Sequence, residues 1–171
     1  MSRSIIVAAA QMGPVSRGAS RSEVLLRMKE LLRGAAAQGA TLVVYPELTL
    51  TSFFPRWDLG ESPAADAFYE AAVPGASTQG LFEEARRLGI GVCLGYAERE
   101  TIGMRVRRFN SAVLTAADGS VVGRYRKIHL PGDREPQPDF DFQHLEKRYF
   151  EPGDLGFGAW RAFGGHCGML L

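Results

Sequence analysis

The sequence predicts an α/β fold built on a mixed sheet whose helices lie on one side. Three observations predict it. Two short apolar runs, 5–10 and 41–45, flank a stretch with helical spacing, which is the pattern of a strand–helix–strand unit with parallel pairing. A second helix-then-strand pattern follows at 77–96. Two further apolar runs are then joined through Asp118-Gly119, a hairpin signal and hence an antiparallel pairing.

In chain order, Ile5 to Ala10 reads as a buried strand ended by Gly13-Pro14. Ser20-x-x-Glu23 has the form of a capping box, because a serine hydroxyl and a glutamate three residues on can satisfy each other's backbone N–H. Val24, Met28, Leu31 and Ala35 recur at helical spacing behind it, with Leu25 and Leu32 beside them, and Gly39 is the expected stop. Thr41 to Tyr45 is the next strand. Ser77 is expected to cap a helix carrying Leu81, Phe82, Ala85 and Leu88, with Ile90 to Tyr96 as the strand after it. Phe109 to Thr115 and Val121 to Tyr125 form the arms of the hairpin. Residues 131–141, rich in Pro and Asp, read as loop, and His144 to Phe150 as a short helix ended by Pro152-Gly153. Trp160 to Phe163 and His166 to Leu171 flank Gly164-Gly165, a second hairpin. One domain is expected to cover 1–171.

Composition narrows the function. Hydrophobic residues make up 46% of the 171 and charged residues 23%, which excludes wholesale disorder. A formal net charge of +1 gives no global field that would favour nucleic acid or a membrane, and no apolar stretch has the length of a membrane span. Arg3 ahead of a short apolar run is a weak leader-like pattern that Gln11 interrupts. Cys93 and Cys167 sit in apolar runs without paired spacing. They read as small core residues in a protein of the reducing cytoplasm rather than as a disulfide framework.

Three segments carry residues suited to chemistry. Glu47 follows Pro46 at the end of an apolar strand, where α/β sheets collect functional groups. It is either a general base in a partly desolvated setting or a structural salt-bridge acid. Lys127 closes the Val121–Tyr125 strand region. It either binds a developing oxyanion or belongs, with Arg124 and Arg126, to a solvated basic edge. His144-x-Glu146, with His129, has the residue types of a metal site but lacks the Pro-Cys-x-x-Cys or His-Glu-x-x-His partner such sites use, so no metal is expected. Glu146 then reads as an acid that hydrogen-bonds a catalytic lysine or orients substrate. Arg105, Arg107 and Arg108 read as a solvated strand end rather than a nucleic-acid face.

On two of these segments the sequence resembles the nitrilase (carbon–nitrogen hydrolase) superfamily, recognised by a Glu-Lys-Cys triad. They are Val43-Val44-Tyr45-Pro46-Glu47-Leu48 and Tyr125-Arg126-Lys127-Ile128-His129-Leu130. Three more stretches are similar to the N-carbamoyl-D-amino acid amidohydrolase branch: Phe53 to Trp57, Arg108-Phe109-Asn110, and the run from Phe142 to Gly153. The resemblance covers nearly the whole chain and is weakest at 133–141 and 158–167. It implies an αββα sandwich, here its N-terminal part only, in proteins that assemble as homo-oligomers. It implies hydrolysis of a non-peptide C–N bond in a small N-carbamoyl amino acid or related ureido or amide substrate, without metal or cofactor. By carry-over Glu47 is the general base, Lys127 the oxyanion partner and Glu146 an additional active-site acid. His129 and His144 are the supporting histidines of the substrate pocket.

The resemblance also places the nucleophilic Cys directly after a run matching Gly168-Met169-Leu170-Leu171. The polypeptide as written is therefore expected to lack its nucleophile, to be inactive and to aggregate. Two other readings stay open. One is a related amidase, nitrilase or N-carbamoylputrescine amidase; the other is a degenerate, non-catalytic interaction protein.

Overall fold

The computed structural model describes residues 4–60 and 63–171. Arg3, and with it the start of the leader-like pattern, lies outside the described residues. The strands are β1 (Val7–Ala9), β2 (Leu42–Val44), β3 (Gly91–Ile102), β4 (Arg105–Thr115), β5 (Val121–Arg126), β6 (Ala159–Ala162) and β7 (Gly165–Gly168). The helices are α1 (Arg21–Ala37), α2 (Pro63–Asp66), α3 (Gln79–Leu88) and α4 (Glu146–Tyr149), with a 3-10 turn at Phe54–Arg56. β1 to β5 form one sheet in chain order. β1–β2 and β2–β3 pair in parallel; β3–β4 and β4–β5 pair antiparallel. The mixed sheet is the expected one, and no described helix is long and apolar enough to cross a membrane.

Helix α1 starts where the sequence says it should. The Ser20 hydroxyl accepts from the Glu23 N–H, and the Glu23 carboxylate accepts from the Ser20 N–H at 2.7 Å. Its inward stripe is Val24, Met28, Leu32 and Ala35; Leu32 rather than Leu31 takes the buried position. Helix α3 is capped one residue later than expected. Thr78, not Ser77, is its N-cap, and the Ser77 hydroxyl instead donates to Glu70. The two helices cover one sheet face, burying Val43, Val92, Leu94 and Val113 against Leu81, Phe82 and Ala85. The Tyr45 hydroxyl reaches across this layer to donate to the Met28 carbonyl at 2.7 Å.

The opposite face carries Leu42, Ala112, Leu114 and Tyr125. Trp160, Phe163 and Met169, from the β6–β7 hairpin and the segment after it, pack on it. Cys93 and Cys167 are half-buried in this second layer, and the Cys93 sulfur lies 3.8 Å from that of Met169. A third cluster, around Phe54, Tyr69, Leu145, Tyr149 and Phe150, fills the end of the sheet beyond β2.

β3 and β4 run further than the sequence suggests. Their hairpin extends to Ile102↔Arg105. The extension is a charged ladder, with Glu100 opposite Arg107 and Arg99 opposite Arg108. The arginines there are paired rather than simply solvated: Arg107 with Glu151 at 3.0 Å and Asp154 at 2.6 Å, Arg108 with Asp66 at 2.7 Å.

Candidate active site

The chain leaves β2 at Val44 and turns sharply at Pro46-Glu47-Leu48. Leu48 is left-handed, at φ 47°, a conformation that costs a non-glycine residue about 1–3 kcal/mol unless its surroundings hold it. Burial holds it, since Leu48 is 2% exposed in the Phe54 cluster. The turn lies directly on β3. A side chain on Gly95 would bring Cβ to 2.8 Å from the Glu47 Cα, and the Thr49 N–H donates to the Gly95 carbonyl at 3.0 Å. A glycine in a central strand thus lets the acid-bearing turn sit down on the sheet.

Lys127 leaves the end of β5, with its N–H donating to the Asn110 carbonyl at 2.7 Å. Glu146 opens α4. Its neighbourhood is tied to the 3-10 turn by Leu145 N–H to the Pro55 carbonyl and Gln143 N–H to the Arg56 carbonyl, at 2.8 and 2.9 Å. These three segments bring their side chains together. Lys127 Nζ lies 2.8 Å from Glu47 Oε1 and 2.9 Å from Glu146 Oε2. Asn110, from the middle of β4, donates its amide to Glu47 and, at 3.3 Å, to Glu146 Oε2.

Burial divides the labour. Glu146 and Lys127 side chains are 2% and 8% exposed, whereas Glu47 is 31% exposed. Of the two acids, Glu47 is the one an entering molecule can touch, and Glu146 is placed to hold the lysine. Burial works against the Lys127 ammonium, but the hydrogen bonds it donates to Glu47 and Glu146 outweigh it and raise its pKa above the ordinary lysine value. The lysine is therefore a fixed cation. Two of its three N–H donors serve the carboxylates, which leaves one to aim elsewhere.

Lys127 and Arg126 are each only 7% exposed, so the solvated-edge reading of this stretch fails. Arg126 faces away from the cluster, bonding Glu98 and Glu100 at 2.7 and 2.8 Å and Asp154 at 2.9 Å, with its guanidinium 3.9 Å over the Phe109 ring. His144 sits at the rim, half exposed, with Nε2 3.4 Å from Glu146 Oε1. His129 is not brought in. It is exposed, its ring lies 6.1 Å from that of Phe157, and it makes no described hydrogen bond to the cluster. Asn110 is the residue that sequence reasoning passed over. It stood within a resembling stretch, but nothing in its local pattern marked an asparagine in an apolar strand as a bridge between two acids. Among the described residues no group of three or more His, Cys, Asp or Glu could hold a metal ion.

Two cavities bear on the site. The larger, about 730 Å³, lies beside Tyr149 and Arg108 and touches neither Glu47 nor Lys127. The smaller, about 450 Å³, is walled by Glu47 itself, and the chemistry makes it the relevant one. Neither cysteine belongs to the cluster. Cys93 is half-buried beside Met169, and that partial burial pushes its thiol pKa up to about 11; Cys167 lies on the hairpin layer.

A family model described as carbon-nitrogen hydrolase matches residues 6–167. The chain is 34% identical over 134 residues to a nitrilase of Pyrococcus abyssi, covering 77% of this chain and 42% of that protein. It is 29% identical over 145 residues to an N-carbamoylputrescine amidase of Solanum lycopersicum, covering 84% and 43%. The crystal structure of a carbon-nitrogen hydrolase from Helicobacter pylori G27 superposes with a TM-score of 0.70 at 27% identity, over 91% of this chain and 47% of that one. The chain thus spans somewhat under half the length of these relatives.

Proposed function

The chain belongs to the carbon-nitrogen hydrolase family, and from that premise we propose that its site serves hydrolysis of a non-peptide C–N bond, with an N-carbamoyl-D-amino acid as substrate. The observation that carries the reading is the Lys127 ammonium held at 2.8 and 2.9 Å between an accessible acid, Glu47, and a buried one, Glu146. An ureido carbonyl resists attack because both nitrogens donate into it, so a covalent route in two easier steps suits it. In the pattern this sequence resembles, the attacking thiol follows the Gly168–Leu171 run.

Glu47 takes the thiol proton as sulfur bonds to the ureido carbon. Lys127 offers its remaining N–H to the oxygen that becomes negative. As the C–N bond breaks, Glu47 returns the proton to the leaving nitrogen and the amino acid departs. Glu47 then takes a proton from water as the water oxygen attacks the carbamoyl thioester. The thiol is restored and carbamic acid leaves, to fall apart into carbon dioxide and ammonia. Glu146 and Asn110 keep Lys127 and Glu47 in register throughout. The long similarity from Phe142 to Gly153, which contains Glu146 and His144, supports the carbamoylase branch.

The test is an assay of the whole protein on N-carbamoyl-D-amino acids, N-carbamoylputrescine, simple amides and nitriles. Turnover of the D-carbamoyl compounds is expected. It should fall about 10⁴-fold or more in Glu47→Gln, because members of a cooperative triad fail together. Hydrolysis of nitriles or N-carbamoylputrescine alone would reassign the substrate within the family. Undiminished rates in Glu47→Gln would remove Glu47 from the chemistry.

A further inference from the structure

The 730 Å³ cavity, apart from Glu47 and Lys127, is of a size that suits a small molecule. It lies between the outer half of β4, helix α2 and the α4 segment, and buried Tyr69, Tyr149 and Phe150 supply its aromatic wall. Four cations line it, Arg108, Arg134, Lys147 and Arg148, against three carboxylates, Asp66, Glu135 and Glu151. The wall is therefore formally +1, and its carboxylates are already committed or turned to water. Glu151 is held by Arg107 at 3.0 Å and Arg105 at 3.3 Å, both from outside the wall. Asp66 is shared between Arg108 at 2.7 Å and Arg99 at 3.8 Å. Glu135 is 82% exposed and reaches only Arg148, at 3.9 Å. Arg134 and Lys147 have no carboxylate within salt-bridge distance among the described residues. An occupant that satisfies both must carry more than one negative charge.

The same wall is the outer side of the turn that carries Glu146. Helix α4 is a single turn, closed by the Tyr149 N–H to the Leu145 carbonyl at 3.2 Å and the Phe150 N–H to the Glu146 carbonyl at 2.9 Å. Successive residues of such a turn point in different directions. Glu146 goes inward to Lys127, while Lys147 and Arg148 line the cavity. Beyond the turn, the Glu151 N–H donates to the Arg108 carbonyl at 2.7 Å, so the two cationic walls are also tied through main chain.

We propose that this cavity binds a phosphate dianion, free or as a small monoester, and that the bound anion steadies the α4 turn that carries Glu146. Guanidinium forks on Arg108 and Arg148 suit two oxygens of one phosphate, and the Lys147 ammonium adds a point charge. The remaining volume and the aromatic wall leave room for an organic group on the fourth oxygen. An anion that grips Lys147 and Arg148 opposes fraying of the one turn between them and Glu146.

The whole protein is titrated calorimetrically with inorganic phosphate and with phenyl phosphate. Saturable binding that weakens as sodium chloride is added is expected. Tighter binding of the ester would identify an organic phosphate as the occupant, and equal or weaker binding the free ion; both support the site. Arg134→Gln with Lys147→Gln should weaken binding about tenfold or more, since charge-assisted bonds are the strong ones. Asp66→Asn, which takes a negative charge from the wall, should tighten it severalfold. Arg86→Gln, an exposed guanidinium on α3, should leave it unchanged. Circular dichroism establishes that each variant is folded. At phosphate ten times its Kd, hydrogen exchange at the Tyr149 and Phe150 amides should slow about tenfold, as a ligand that holds only the closed turn must make it. No binding of either compound, or affinity indifferent to both the double substitution and Asp66→Asn, overturns the site. Binding that leaves exchange at Tyr149 and Phe150 unaltered overturns the link to α4.

Discussion

Gly95 and Glu47 are in backbone contact: any side chain on the one would drive its Cβ to 2.8 Å from the Cα of the other. The position of the accessible acid is thus set by a missing side chain in β3, the next strand of the chain.

Gly95→Ala should accordingly cost about 1–3 kcal/mol, since the obstacle is main chain that no rotamer can clear. It should also lower turnover by about 10²-fold, the usual penalty for shifting a reacting group by around an ångström. Gly165→Ala, where nothing lies within 4 Å, is the matched control. Thermal unfolding and steady-state rates of both variants decide it, and wild-type rates in Gly95→Ala would break the link to Glu47.

Asn110 is fully buried and its amide serves Glu47 and Glu146 together. Asn110→Ala should cost about 2–3 kcal/mol, as hydrogen bonds to charged groups are worth more than neutral ones. Asn110→Asp should do worse at neutral pH, because a third carboxylate joins two that share one ammonium. Its deficit should shrink as the pH falls into the carboxylate range and one acid takes up a proton. Melting temperatures of the two variants across that range would show this; a deficit in Asn110→Asp that ignores pH would contradict it.

Much of this arrangement was legible in the sequence, and the rest was hidden for physical reasons. Ser20 with Glu23, and Asp118-Gly119, act through neighbours in the chain, so local pattern revealed the start of α1 and the β4–β5 hairpin. Glu47, Lys127 and Glu146 stood out by position, at strand ends and in a His-x-Glu segment, but only the resemblance gave them joint roles, and the distances between them came with the fold. Arg126 and Lys127 look like a solvated pair because their partners Glu98, Glu47, Glu146 and Asp154 are distant in sequence. The outer halves of β3 and β4 were missed for the same reason: a ladder of Glu and Arg has no apolar alternation. Ser77 was expected as the cap of α3, but its hydroxyl bonds Glu70, and Thr78, in the N-cap position, turns its own hydroxyl back to Gly75.

Arg126 is the hub of a second charge cluster behind the site. Replacing it with leucine strands Glu98, which is largely buried, and leaves the more exposed Glu100 and Asp154 with Arg107 alone. The expected loss is about 2–4 kcal/mol, below the full cost of breaking a buried pair because two of its partners are partly screened. Arg126→Lys should recover only part, since one ammonium cannot reach three carboxylates and also cover the Phe109 ring. Denaturant midpoints of the two variants would check the order.

Alkali should unfold the protein from about pH 10 upward. Burial raises the phenol pKa values of Tyr45 and Tyr69, and takes Tyr96 up to about 12, from the ordinary 10.0. Above pH 10 the folded form therefore holds protons that the unfolded chain has released, and stability falls as pH rises. Lys127 adds to this with the same sign: its raised pKa gives a contribution complete below 10.5 and lost as pH climbs through the folded value. Tyrosinate absorbance should appear together with loss of tertiary circular dichroism. Ionisation of all three phenols near pH 10 in an intact fold would refute the account.

The strand order has a kinetic corollary. β3, β4 and β5 are consecutive in the chain and joined by tight turns, while β2 must cross a long intervening segment to reach β3. Short loops close first. The hairpins that carry Asn110 and Lys127 should therefore be ordered in the folding transition state, with substitutions at Leu114 or Tyr125 slowing refolding, whereas those at Val43 or Leu48 chiefly quicken unfolding. The ammonium would then be waiting in place when the glutamate of the turn after β2 arrives.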